Sequence, residues 1–274
     1  MSNKSMSNSV FSIALMGLFV QIIYSALFSI VVTGYGPVTA RANNGLPYLL
    51  IAISYISYLW TSLVITNIVY ATTAGVSAAH YLRTGPNQDT PLLVLKGVLT
   101  TSLGPISYGS SAFLRSIFMC IWTCYPVVKP LPVKYAFYHV VVHKLDFRMA
   151  SKKVRAQLGA LNEKTLLDQL VVVKLLWATA VLAAVLAVDV YWEWERMLNV
   201  HIIFAAMLAS VQMVLTAGAA ADAVVDAMFV AMAQDREAFT ANQEELASLV
   251  YVLSGGAPGE LELQAVQVEL QAST

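Results

Sequence analysis

Two pairs of side chains able to do chemistry stand four residues apart: His139 with His143, and Asp222 with Asp226. On a helix that spacing puts both members of a pair on one face, as a metal-binding histidine pair requires. His139 and His143 have no third ligand nearby and lie in a basic stretch that opposes a cation. A contact with the surface or with lipid headgroups is therefore expected of them, and no metal. Cys120 and Cys124 share the same spacing; neighbours on one helix face are poorly arranged for a mutual disulfide. No nucleophile paired with a base, no phosphate-binding glycine loop and no metal cluster stands out. The expectation is a protein that is not an enzyme and uses no cofactor.

Composition dictates the elements that must position these residues. Of 274 residues, 58% are hydrophobic and 12% charged, against about 25% charged in a soluble domain. A water-soluble fold of this length cannot hide so much apolar surface. The net charge of zero and the pI of about 6.9 give no basic field for nucleic acid. The fold class expected is all-α, a polytopic protein of the lipid bilayer. A hydrocarbon core about 30 Å thick takes about 20 apolar residues as a helix. Runs at 10–32, 46–82, 97–125, 169–190 and 200–233 meet that requirement, which makes about five transmembrane helices. The first run is too long for a signal peptide and reads as a retained span. The chain thus divides into a polar N-terminus (1–9), a membrane domain (10–233) and a polar C-terminal tail (234–274) containing the turn-forming stretch Gly255-Gly256-Ala257-Pro258-Gly259. Gly75, Gly104 with Pro105, and Gly218 are the expected points of bending in the over-long runs.

Charge orients these runs. Lys129, Lys134, Lys144, Arg148, Lys152, Lys153, Arg155 and Lys164 are half of the 16 Lys and Arg in the protein, so the segment carrying them is expected on the cytoplasmic side or its organellar equivalent. With five spans the C-terminus shares that side and the N-terminus lies opposite, with Tyr191, Trp192 and Trp194 as an aromatic anchor at the far interface. Counting about 20 residues on from Val200 ends the last span near Ala220. Asp222 and Asp226 are then expected at or beyond the inner interface, pairing with the basic loop. Lys174 lies a turn or two inside the fourth run and can snorkel outward; Arg115 lies deeper in the third.

Several stretches carry a family pattern. Asn67 to Leu82 opens on an Asn, has Gly75 in its middle and closes on His80-Tyr81-Leu82. Thr100 to Ser110 follows after a hydrophilic break, with Ser107-Tyr108-Gly109-Ser110 at its end. Ala136-Phe137-Tyr138, Asp146-Phe147 with the basic stretch after it, Asp226-Ala227-Met228-Phe229 and Gln234-Asp235 come next in order. This series resembles the choline transporter-like family, across nearly all of the chain from about residue 46, and corresponds to the C-terminal half of that family's pattern. His80 stands where the family has Trp, Pro105 where it has Ser, Tyr135 where it has Asn, and Lys144 where it has Gly.

The resemblance implies a choline-like amine as substrate, and a quaternary ammonium needs aromatic faces around it. Trp60, Tyr70 and Tyr108 are the aromatic residues nearest the family motifs and so the candidate amine site, with ordinary helix packing the preferred reading. Asn67, Ala71, Ala74 and Ala78 recur at helical spacing and form a small-residue face with one amide on it. Asn67, Gly75, Gly104, Gly109 and Gly218 are expected at close helix contacts, since small residues let membrane helices approach and polar ones tie them.

Two functions follow. The first is a non-catalytic accessory or scaffold subunit of a larger membrane complex, with other membrane-protein subunits as partners; an organellar inner membrane is the setting this reading expects. The alternative is a transporter of choline or a related amine, working as an oligomer or with a partner chain.

Overall fold

A computed structural model describes residues 3–41, 46–82, 91–111, 133–158 and 200–234, and all their regular structure is helical. In lipid every backbone polar group must be satisfied within the segment, which leaves the helix as the solution for such apolar runs. Three long helices form the frame: α1 (Asn3–Arg41), α2 (Leu46–Leu82) and α6 (Val200–Gln234). At 39, 37 and 35 residues, each is about 50 Å or more long at 1.5 Å per residue, well beyond the hydrocarbon core. Within them Met6–Gly34, Leu49–Tyr81 and Phe204–Met228 are apolar and long enough to cross a membrane. The chain is an integral membrane protein.

Directions follow from the contacts. Gln21 donates to Ser62 and Ser25 bonds Tyr58, so α1 and α2 are antiparallel. Tyr55 lies against Phe204, Thr66 bonds Thr216 and Tyr70 bonds Asp226, so α2 and α6 are parallel. The start of α1 and the close of α6 therefore lie at one end of the bundle. That differs from the expectation of an N-terminus opposite the basic segment. The expectation came from counting crossings, and a single apolar run that does not cross reverses every side assigned after it.

The shorter helices gather at that same end. Residues 91–111 form α3, which opens as Pro91–Gly97, widens into a π turn over Val98–Ser102 and resumes as α-helix over 103–111. Pro105 explains the widening: it has no N–H for the carbonyl of Thr101, and its ring crowds that carbonyl. Of the expected bending points, Gly104-Pro105 is the one beside a change of helix geometry; α-helix runs unbroken through Gly75 and Gly218.

α4 (Val133–His143) and α5 (Phe147–Leu158) occupy the segment expected to be a basic loop. Every residue from Tyr135 to Val140 is buried, because an Ala-Phe-Tyr-His-Val run is apolar enough to pack yet too short to span. Lys144 turns the chain between these helices with φ 52°, the left-handed conformation that favours glycine just past a helix end. The runs at 112–125 and 169–190, the cysteine pair, the anchor residues Tyr191 to Trp194, Arg115, Lys174 and the tail from Asp235 lie outside the described residues.

Candidate functional site

The family motifs converge. Asn67, which opens the first, donates through Nδ2 to Ser110 Oγ at 2.8 Å, which closes the second. A Cβ at Gly109 would stand 2.7 Å from the rings of Phe137 and Phe147, so the second motif packs into the third and fourth without room for a methyl group. A Cβ at Gly75 would meet Val94 at 2.8 Å and Val141 at 2.9 Å, wedging α2 against α3 and α4. Tyr70 of the first motif donates its hydroxyl to Asp226 Oδ2 of the fifth at 2.6 Å. Five motif stretches scattered along the sequence thus interlock around one end of the bundle.

Gly104 is different: a Cβ there would meet nothing within 4 Å beyond its chain neighbours. Its use is local, since a Cβ on the residue before proline would crowd the proline ring in a helix. Gly218 is half-buried on α6. Gly17, unremarked in the sequence, marks the close approach of α1 to α2, where a Cβ would collide with Val69. The signal for it was the stripe Gly17, Gln21, Ser25, small or polar residues four apart in an otherwise bulky helix.

The candidate amine residues do not converge. Trp60 is 41% exposed and ten residues before Tyr70, about 15 Å along α2. Tyr70 is buried with its hydroxyl taken by Asp226. Tyr108 lies on an exposed surface, and its ring carries the guanidinium of Arg148 at 5.8 Å from the centroid, with Arg148 Nη2 at 3.4 Å from the Tyr108 hydroxyl. A cation of the protein itself therefore sits over the ring face that an ammonium would need.

The acids lie inside the bundle. Asp222 and Asp226 are both buried between the helices, within the apolar Phe204–Met228 stretch. The apolar stretch runs two turns past Ala220 because Ala219, Ala220, Ala223 and Ala227 pack there against the other helices. What faces the acids from the basic segment includes a phenol, Tyr135: burial raises its pKa, and the carboxylates of Asp226 and then Asp222 raise it further. His139 is also buried, its ring stacked on His143 with centroids 5.3 Å apart. This corrects the expected surface contact, and its cause is the wedging of α4 into the Gly75 and Gly109 notches. Among the described residues no group of three His, Cys, Asp or Glu side chains gathers to hold a metal.

At the other end of the bundle a second polar set joins the long helices. Gln21 donates to Ser62 at 2.6 Å and Ser25 bonds Tyr58 at 2.9 Å, under a stack in which Phe28 and Tyr58 lie 4.0 Å apart and Tyr24 and Tyr58 5.5 Å apart. These rings cover one another.

Comparison with known proteins agrees with the motifs. The family described as plasma-membrane choline transporters matches residues 3–237, so the likeness takes in α1 as well as the region from residue 46. No curated protein and no solved structure gives a match. With most of its length covered by that family, and the family's motif stretches packed against one another in one place, the chain belongs to the choline transporter-like family.

Proposed function

We propose that the chain acts as a non-catalytic accessory subunit of a larger membrane assembly rather than as a self-sufficient carrier. One observation supports this above others: the aromatic residues nearest the motifs occupy three separate places, and two of them are engaged by side chains of the protein itself, Tyr70 by Asp226 and Tyr108 by Arg148. A desolvated quaternary ammonium requires contacts on several sides. The motif residues instead serve one another. The outward faces of the long helices are apolar, with Phe11, Phe19, Ile30, Leu49 and Ile53 all exposed, and they suit either lipid or neighbouring membrane helices.

The topology belongs to the same proposal. Hydropathy counts five crossings, whereas the shared end of α1 and α6 favours an even number. The accessory reading pairs with an organellar inner membrane, and cell fractionation of the tagged protein tests that pairing.

The transporter reading has its own support in Asp222 and Asp226, since an acid within an apolar span is a functional hypothesis by default. Purification in mild detergent followed by intact-mass measurement separates the two. A stoichiometric complex with unrelated membrane proteins is expected. A monomer or homodimer stabilised by choline would contradict the accessory role.

A further inference from the structure

The charge of α5 lies on the side turned away from the bundle. Phe147, Ala150 and Val154, at intervals of three and four residues, are its buried face. Arg148 and Lys152, four apart and so on one face, are exposed, as is Lys144 in the turn before them. Met149 stands beside them, 61% exposed. Residues 133–158 hold six Lys and Arg against one acid, Asp146, and among the described residues no ion pair ties Asp146 to these cations. A basic surface with an apolar side chain standing out of it is the composition of helices that lie in a membrane interface.

The height of this surface along the bundle follows from α2. Asn67 bonds Ser110 and Gly75 faces Val94, so α3 runs antiparallel to α2 and Tyr108 comes level with Asn67 to Tyr70. The hydrocarbon core takes about 20 helical residues, and that count from Leu49, where the apolar stretch of α2 begins, ends at the same level. Counted from Val200, α6 leaves the core near Ala220, one turn past the Thr66–Thr216 bond. Tyr108 and Arg148 thus stand where hydrocarbon gives way to headgroups. Both suit that depth, since each has an apolar body and a polar tip.

We infer that this face binds the headgroup phosphate of an anionic phospholipid, with Arg148 as the principal contact and Lys152 and Lys144 adding to the attraction. Tyr108 holds the guanidinium in place, with its ring centroid 5.8 Å from the guanidinium carbon and its hydroxyl 3.4 Å from Nη2. Among the described residues that is the one hydrogen bond Arg148 makes, which leaves most of its fork of donors for phosphate oxygens. The planar fork meets a phosphate through two parallel bonds, and a side chain already held in place loses less freedom in doing so. Three exposed cations favour a headgroup of net negative charge over a zwitterionic one. The place at the hydrocarbon boundary and the exposed Met149 favour a lipid over a soluble phosphate. The inference holds for an accessory subunit and for a carrier alike.

The test uses the full chain in a neutral detergent, given phosphatidylglycerol, phosphatidylcholine or inorganic phosphate. Bound lipid is counted by native mass spectrometry and the unfolding midpoint is followed in parallel. Phosphatidylglycerol should bind saturably, about tenfold or more tighter than phosphatidylcholine, and raise the midpoint; inorganic phosphate at the same concentration should do neither. Arg148→Ala should weaken phosphatidylglycerol binding about tenfold, and Lys152→Ala about fivefold, the effect of one cation near an anionic surface. Arg148→Lys, which keeps the charge and loses the fork, should fall between the parent and Arg148→Ala. Lys96→Ala removes an exposed lysine of α3 and should leave binding unchanged. The midpoint in phosphatidylcholine reports that each variant is folded. Equal binding of the two lipids, or equal losses in Lys96→Ala and Arg148→Ala, overturns the inference. So does a midpoint raised as much by inorganic phosphate, which would make this a site for a soluble anion.

Discussion

The two ends of the long-helix bundle solve the problem of a buried interior differently. At one end Tyr24, Phe28, Tyr55, Tyr58 and Phe204 stack on one another and neutral hydroxyl and amide groups close the gaps. At the other, two carboxylates, several phenols and a histidine are buried under α3, α4 and α5. The family motifs lie almost wholly at the second end. Residues that look like a substrate signature in the sequence are there the means by which five separated stretches of chain hold together, and the aromatic residues at the first end stack on one another within an aliphatic cluster.

The comparison can be broken most forcefully at Gly109. Gly109→Leu drives a side chain into the rings of Phe137 and Phe147 and should destabilise the chain by about 3 kcal/mol, the upper end for overpacking. Gly97→Ala, with nothing within 4 Å of its new Cβ, should be neutral or stabilising by about 0.5–1 kcal/mol. Unfolding of both variants in detergent checks the contrast, and equal stabilities would deny that the motif end is tightly interlocked.

Removing one phenol from each end sharpens the difference in charge. Tyr70→Phe takes a donor from a buried carboxylate and should cost about 1.5–3 kcal/mol, while Tyr58→Phe takes a neutral partner from Ser25 and should cost about 0.5–1.5 kcal/mol. A larger loss at Tyr58 would reverse the assignment of the charged end. Asn67→Ala, which frees Ser110 from its interhelical bond, should cost about 0.6–1.7 kcal/mol, the range for such bonds in membranes; proteolysis of α3 in the variant reports it. The smallest effect runs the other way. Lys144→Gly relieves the left-handed turn and should stabilise by about 0.5–1 kcal/mol, measured as a rise in the unfolding midpoint.

Lys144 also shows what the sequence could carry. It stands where the family pattern has glycine, a cue whose backbone meaning emerges only with the turn itself. The long helices were legible because an apolar run of more than 20 residues has few alternatives. Asn67 and Gly75 were legible as packing residues because small and amide side chains at helical spacing have one common use in membranes. The burial of Tyr135 to Val140 was not, since the run is too short to span and its lysine and arginine neighbours read as loop. The hold of Asp226 on Tyr70 joins residues 156 apart, and no local spacing announces it. Gly104 shows the opposite error: the residue type suggested a helix contact, whereas the proline after it supplies the reason.

The central claim is that the motif aromatics belong to packing and not to an amine site, and uptake of labelled choline into vesicles containing only this chain tests it most directly. Uptake no faster than in empty vesicles, alike for the parent, Tyr70→Ala and Tyr108→Ala, is the result expected, with the loss in Tyr70→Ala confined to stability. Saturable uptake by the parent that falls in both variants would contradict the account and make the chain a carrier in its own right.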